Sequence, residues 1–254
     1  MTFPNLKGKH AKDALVTPKE YFKYKKKLGE YLKFRPPESM IFIYSDKFLA
    51  NLLRKYKLKK VKFFKREIYL LKGTNVRIGL MKLPAWGAPV TASMMEMFIE
   101  CGIKKFLIVG MAGSLQKNLE IGDFIICDKA IRDEGTSHHY IKSGKYAYPS
   151  AGFVKKIENT FKKNNTKYVK GATWTVDAIF RETIAEVRQY KKEGVLTVEM
   201  EAAALFSIAK YRGVEAGAIF TISDYLGELD WQPKFHLTDK YLEKLFLIAK
   251  DVLS

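Results

Sequence analysis

Residues 195–226, VLTVEMEAAALFSIAKYRGVEAGAIFTISDYL, constrain the fold of this chain more than any other stretch. A strand-like apolar run, VLTV, passes into a run of helical length, EAAALFSIAKYR. Gly213 ends that run before a second strand-like segment, AGAIFTIS. A helix that is apolar all round belongs inside a protein. Strands that read as continuous apolar runs belong to a sheet covered on both faces. Yet the stretch carries Glu199, Glu201 and Asp224, and ionised carboxylates are costly to bury without partners. Sheets of this kind bind ligands outside the carboxyl ends of their strands. Glu199 and Glu201 stand where VLTV hands over to the helix, and Asp224 just past AGAIFTIS. All three acids are therefore expected at a crevice. Taken singly, each has a plain structural alternative: Glu201 as a first-turn helix acid favoured by the dipole, Asp224 as an N-cap or turn residue.

The same alternation runs through the chain. Residues 1–38 read as an N-terminal arm with a helix at TPKEYFKYKKKLGEYL, closed by Pro36 and Pro37. Residues 39–254 read as one domain. MIFIYS is a buried strand and DKFLANLLRKY a helix. EIYLLKGTNVRIGLMKL is a hairpin turning at Gly73 to Asn75. VTASMMEMFIECG is a helix, KKFLIVG a strand entering a GMAGSL loop, and IGDFIICDKAIRDEG a further strand. Beyond them AGFVKKIENTFKKN and RETIAEVRQYKKEG are helices around the strand YVKGATWTVD, and DKYLEKLFLIAKDVL is the last helix. Strands alternating with helices predict a single α/β domain of three layers, α/β/α, around a central mixed sheet. At 254 residues and 47% apolar composition the chain can bury such a core.

The net charge of +18 brings nucleic acid to mind. The lysines are spread over YFKYKKK, RKYKLKKVKFFKRE and VKKIENTFKKNNTKYVK, which read as solvated faces of helices and loops. With no zinc-finger spacing or RNA-binding aromatic motif, nucleic acid is not the expected main partner. Attraction of small anionic substrates is an equal use of the charge. Cys101 and Cys127 sit in apolar surroundings and read as reduced core thiols of a cytoplasmic protein. No apolar run is long enough to span a membrane, and no His/Cys spacing suggests a metal site.

Together the three acids are more specific than singly. TVEMEAAALFSIAKYRG followed by TISD resembles the nucleoside phosphorylase superfamily of the purine nucleoside and uridine phosphorylase type. FLIVGMAGSLQKNLEIGDFIICDKAIRDEGTSHHY is similar to that family's glycine loop, Gly-Asp strand and the segment leading into the base pocket. LPAWGAPVTAS is similar to its Gly-x-Pro stretch. The resemblance covers about residues 40–230. It implies cleavage of an N-glycosidic bond in nucleoside salvage, with phosphate as co-substrate and no other cofactor. It also implies homo-oligomers, commonly hexamers built from dimers with shared sites.

Carried over residue by residue, the resemblance places Glu201 on the ribose diol, Met200 on the apolar face of the sugar, and Glu199 in support. Asp224, after Ser223, assists the departing base at purine N7. Ile179 and Phe180 line the base pocket, with Phe180 alternatively in the core. The Gln and Arg by which the uridine branch reads uracil have no counterpart in TVDAIFRETIAEVR, which favours a purine. His10 is a weak counterpart of a histidine that reaches a neighbour's sugar 5′-hydroxyl. His138 and His139 fall near the sugar end or on the surface.

The phosphate site departs from the pattern. Gly110, Ala112 and Gly113 keep the small loop, but Ile108 and Met111 stand where an arginine and a hydroxyl are expected. Ser45 and Leu49 replace the glycine and arginine of the loop after the first strand. Apolar side chains cannot neutralise phosphate, and Lys47 and Arg66 are the substitutes considered. A phosphorylase with a rebuilt phosphate site is the first expectation. A nucleosidase of the methylthioadenosine/adenosylhomocysteine type, with Asp46 activating water, is the second. A non-catalytic nucleoside-binding homologue is the third.

Overall fold

Each residue of the first strand, β1 (Ser39–Ile43), is buried, as expected for a strand flanked on both sides and covered on both faces. The computed structural model describes residues 3–74, 76–227 and 230–254. β1 pairs in parallel with β4 (Ile78–Lys82) and β5 (Lys105–Ser114). β4 and β3 (Arg66–Leu71) form the expected hairpin, Tyr69 facing Leu80. Asn75, the last residue of its expected turn, lies outside the described residues.

The sheet continues through β6 (Phe124–Asp133), β8 (Val169–Val176), β9 (Thr197–Glu199) and β10 (Glu215–Leu226). The short β7 (Tyr146–Ala147) flanks β6, and β11 (Trp231–Pro233) flanks β10. β5 pairs with both β10 and β9, β10 with β6, β6 with β8, and β8 with β9. Five strands thus close on one another, so that the sheet curls into a barrel at one end. A register shift in β10 between Ile222 and Asp224 accompanies this closure; bulges increase twist and re-aim side chains.

Side chains of β5 alternate between two apolar layers. Phe106, Ile108 and Ala112 join the layer of α3 (Ala88–Glu100) and α6 (Ala202–Arg212). Leu107, Val109 and Met111 join the layer of α2 (Asp46–Lys55), α4 (Ala151–Lys163) and α7 (Asp239–Leu253). The three-layer expectation therefore holds. Burial of every residue of α6 from Ala202 to Ala209 makes it the central helix. The remaining helix of the domain, α5 (Ile184–Lys192), starts with a capping box between Thr183 and Glu186.

Three local expectations need correction. The lysine run at 54–67 is not only solvated helix and loop: it contains β2 (Leu58–Phe63), which pairs with β3 at the sheet's edge. Exposed Lys59, Lys60 and Lys62 blunt that edge while Phe63 is buried. The arm helix α1 (Pro18–Lys27) stops well before Pro36 and Pro37. GMAGS is strand rather than loop, because β5 runs on to Ser114 against β10 and β9.

Candidate active site

Glu199 ends β9, and its carboxylate is fully occupied. Oε2 accepts from the backbone N–H groups of Glu201 at 2.7 Å and Ala202 at 2.8 Å, and Oε1 from the Thr175 hydroxyl. Helix N-termini leave such N–H groups unpaired and attract negative charge. Glu199 therefore caps α6 from the preceding strand and, in doing so, sets where Glu201 begins the helix.

Glu201 is buried, and its Oε1 accepts from the Gly87 N–H at 2.6 Å. Gly87 has φ 100°, ψ 164°, a conformation that a side chain would strain. This explains the Gly-x-Pro stretch: the glycine turns its N–H onto the carboxylate, and Pro89 stands in the first turn of α3, where a missing N–H costs nothing. Burial pushes both carboxyls above the usual range, and the charge of Glu199 pushes Glu201 further. Tyr44, hydrogen-bonded to Thr91 at 3.1 Å, lies within the field of Glu201, and burial pushes its hydroxyl upward. Met200, between strand and helix, is half-buried.

Asp224 lies within β10 rather than past it. Its Oδ1 accepts from the Ser223 hydroxyl at 2.6 Å and its Oδ2 from the Trp231 indole N–H at 2.8 Å. Gly113 joins the two acidic ends: it pairs with Val198, next to Glu199, on one side and with Asp224 on the other. A β-carbon on Gly113 would come within 2.9 Å of Asp224 Oδ2 and 3.2 Å of Val198. A glycine here lets the two acid-bearing strands pass close together.

Two further acids, Glu134 after β6 and Asp177 after β8, lie within the field of Glu199 and Glu201. Asp177 accepts from the Gly135 N–H at 2.7 Å, and Glu134 from the Ser137 N–H. Buried Arg132 holds the segment after β6 by donating to the Ser137 hydroxyl at 2.9 Å and to the carbonyls of Lys142 and Gly144. His138 contacts the Arg132 carbonyl at 3.1 Å. His139 Nδ1 accepts from Lys9 at 2.9 Å, and Phe3 packs edge-on against both histidines. His10, in the same turn as Lys9, thus lies on an arm folded over its own chain's 134–139 segment.

Ile179 and Phe180 form an exposed turn (Ile179–Arg181) between β8 and α5. Phe180 is 96% exposed, which removes it from the core. Glu182, next in the chain, escaped the sequence reading. Burial and the neighbouring Asp224 and Glu186 push its carboxyl up to about 7. Nothing in FRETIAEVR marks it apart from an ordinary helix-capping acid.

The expected phosphate positions are filled by core. Ile108 and Met111 pack in the two apolar layers, with Leu49 beside Met111 in the second. Lys47 is 65% exposed in its side chain and pairs with Asp239 at 2.6 Å. Asp46 pairs with Lys82 at 2.8 Å. Arg66 and Lys82 line one cavity of about 290 Å³ together with Asp46 and Leu49. Lys82 is the cation missed in the sequence: as the last residue of β4 it reads as an ordinary strand-end lysine. Among the described residues no group of acids, histidines or cysteines is arranged to hold a metal, and no helix is long and apolar enough to cross a membrane.

Comparison with known proteins identifies the family and the fold. The family described as the phosphorylase superfamily matches residues 41–248. Guanosine phosphorylase of Halorubrum lacusprofundi is 31% identical over 140 residues, 55% of this chain and 58% of that protein. A DeoD-type purine nucleoside phosphorylase of Bacillus cereus is 31% identical over 133 residues, 52% of this chain and 56% of its own. The chain thus spans less than three-fifths of these relatives. Uridine phosphorylase from Vibrio fischeri superposes with a TM-score of 0.73 at 22% identity, over 86% of this chain and 92% of that one. The P. knowlesi homolog of P. falciparum PNP superposes at 0.72 and 20% identity, over 94% and 90%. At these identities the solved structures speak to the fold.

Proposed function

The chain belongs to the phosphorylase superfamily, and from that premise we propose that it is a nucleoside phosphorylase that acts on purine nucleosides in preference to uridine. The observation that carries this reading is the constellation of buried Glu201, set by Glu199 and Gly87, and buried Asp224, set by Ser223 and Trp231. Breaking an N-glycosidic bond builds positive charge on the sugar and negative charge on the base. A carboxylate at the sugar accepts from its hydroxyls and favours the cation. Asp224, sharing a proton with the departing base, relieves the negative charge at purine N7. Met200 covers the sugar, and Ile179 and Phe180 close on the base. The relatives named for guanosine and purine nucleosides support a purine.

On this reading phosphate enters beside Lys82 and Arg66, two cations in place of the family's arginines, and Lys82 leaves Asp46 to meet it in a cavity that Asp46 and Glu67 also line. The amides of Gly110, Ala112 and Gly113 lie in a strand rather than a loop, so they contribute less than a free glycine turn does. The chain works as a homo-oligomer, a hexamer built from dimers, in the cytoplasm. Hydrolysis is the second reading, favoured by the apolar packing of Ile108, Met111 and Leu49. Asp46, as its water activator, would have to leave Lys82.

The deciding experiment is a panel of purine and pyrimidine nucleosides assayed for free base with and without phosphate. Release that requires phosphate and favours purines is expected. Equal release without phosphate establishes the nucleosidase, and silence on every nucleoside abandons both.

The sugar contact has its own test. Glu201→Gln is expected to weaken ribonucleosides roughly 10- to 150-fold, the loss of a hydrogen bond to a charged group. 2′-Deoxynucleosides should lose less, because they lack one of the hydroxyls. Equal losses for the two sugars would place Glu201 away from the 2′-hydroxyl.

A further inference from the structure

The positive charge of this chain is gathered in space. Residues 1–38 and 54–72 hold 19 of its 45 lysines and arginines and only five of its 27 acids. The structure brings these segments together. On α1, Phe22 packs 5.1 Å from the Phe64 ring at the β2–β3 turn and 6.3 Å from Phe63, and Tyr21 stands edge-on to Phe64. Between α1 and the hairpin lies a second cavity of about 290 Å³, floored by Phe22 and Phe64 and walled by Tyr31. Lys19, Lys23 and Lys26 stand around it, with Glu30 and Glu100 the two acids of its rim. Lys23 pairs with Glu20, while Glu30, at the same rim, is taken by Lys25. Exposed Lys59, on the face of β2 that carries Val61 and Phe63, extends the positive field.

Two features set this cavity apart from a merely solvated lysine face. Phe64 has φ 53°, the left-handed region where a bulky residue is an outlier and such strain gathers at functional positions. A glycine or asparagine would make the turn at lower cost, but neither would place an aromatic ring against α1. Tyr31 is 58% exposed and contributes its ring to the cavity rather than to the core. An aromatic floor ringed by ammonium groups suits an unpaired base stacked on a ring with its phosphates on lysines. Duplex ends and smooth phosphate backbones do not fill a recess of this kind.

We propose that α1 and the β2–β3 hairpin form a binding site for single-stranded nucleic acid. One base enters the cavity against Phe22, Phe64 and Tyr31, and the flanking phosphates lie on Lys19, Lys23 and Lys26. The site lies in part on the arm before residue 41, outside the segment matched by the family, and it is independent of nucleoside cleavage. Two of the lysine runs of the sequence, read there as separate solvated faces, come together after folding.

The test is fluorescence anisotropy of a labelled oligouridine of about 12 nucleotides, with the full chain, across a salt series. Binding is expected to weaken with salt at a log–log slope of about −0.7 per phosphate neutralised. The combined variant Lys19→Gln, Lys23→Gln, Lys26→Gln should reduce that slope by about 2. Tyr31→Ala, which removes an exposed ring, should weaken binding roughly 5- to 150-fold with its melting temperature unchanged. Phe64→Gly, which suits the left-handed turn, should weaken it similarly. No binding at about 50 mM salt overturns the proposal. So does binding that these variants leave intact, or a duplex bound as tightly as the single strand. Tighter binding to phosphatidylserine vesicles than to the oligonucleotide overturns it in favour of a membrane-docking surface.

Discussion

Asp224→Asn is expected to lower turnover of a purine nucleoside by on the order of 100- to 10,000-fold while leaving nucleoside binding largely intact, the range typical for loss of a general acid. The surroundings of Asp224 make this a clean substitution. The Trp231 indole can only donate, so the carbonyl oxygen of the new amide must face it, as Oδ2 does now at 2.8 Å. The amide nitrogen then points at the Ser223 hydroxyl. That hydroxyl already lies 3.3 Å from the Ala112 carbonyl and can turn its proton there. Every partner stays satisfied, so the fold should hold while the group that shares a proton with the base is lost. kcat and KM measured on the nucleoside that the panel selects check this. Unchanged kcat would remove Asp224 from the chemistry, and a collapse in melting temperature would make it a structural residue.

Glu199→Ala is expected to destabilise the protein by about 3 kcal/mol, from a lost helix cap and buried donors left unpaired. For a chain of this size that lowers the melting temperature by on the order of 10 °C. The Thr175 hydroxyl and the N–H groups of Glu201 and Ala202 would all lose their acceptor. Those N–H groups are buried, and water does not replace a carboxylate there without opening the α6 N-terminus. Glu199→Gln keeps an amide oxygen for the two N–H groups and should recover most of the loss. Thermal unfolding of the three proteins measures this. An alanine variant that melts within about 2 °C of the wild type would show that the cap does not support α6, and the role of Glu199 would then rest with the sugar alone.

These two acids mark how far the sequence could be read. An ionisable group inside an apolar strand–helix–strand run signals a crevice whatever the details of the fold, because the cost of burying it alone is prohibitive. That argument singles out Glu199, Glu201 and Asp224 as candidate site residues before any coordinate is known. It does not separate their tasks. Glu199 becomes a cap only because β9 ends within reach of two N–H groups at the start of α6. Glu201 is held apart from that cap because a residue 114 positions earlier, Gly87, offers its N–H to the carboxylate. Glu182 is invisible in its own segment, since only the packing of the 179–182 turn beside β10 brings it near Asp224.

The apolar substitutions of the phosphate site belong to the same division. Ile108 and Met111 are legible as departures from a pattern, but that Lys82 and Arg66 line one cavity depends on β3 and β4 pairing beside α2. By itself the sequence determined most of the alternation of strands and helices, the buried layers and the acids near the ends of β9 and β10. Periodicity and desolvation act on neighbouring residues and need no knowledge of distant ones. Only the tertiary structure decided which strands close into a barrel, which carboxylate is capped, and which lysines share a surface. Each of those outcomes is a contact between residues far apart in the chain, and local chemistry says nothing of who the distant partner is.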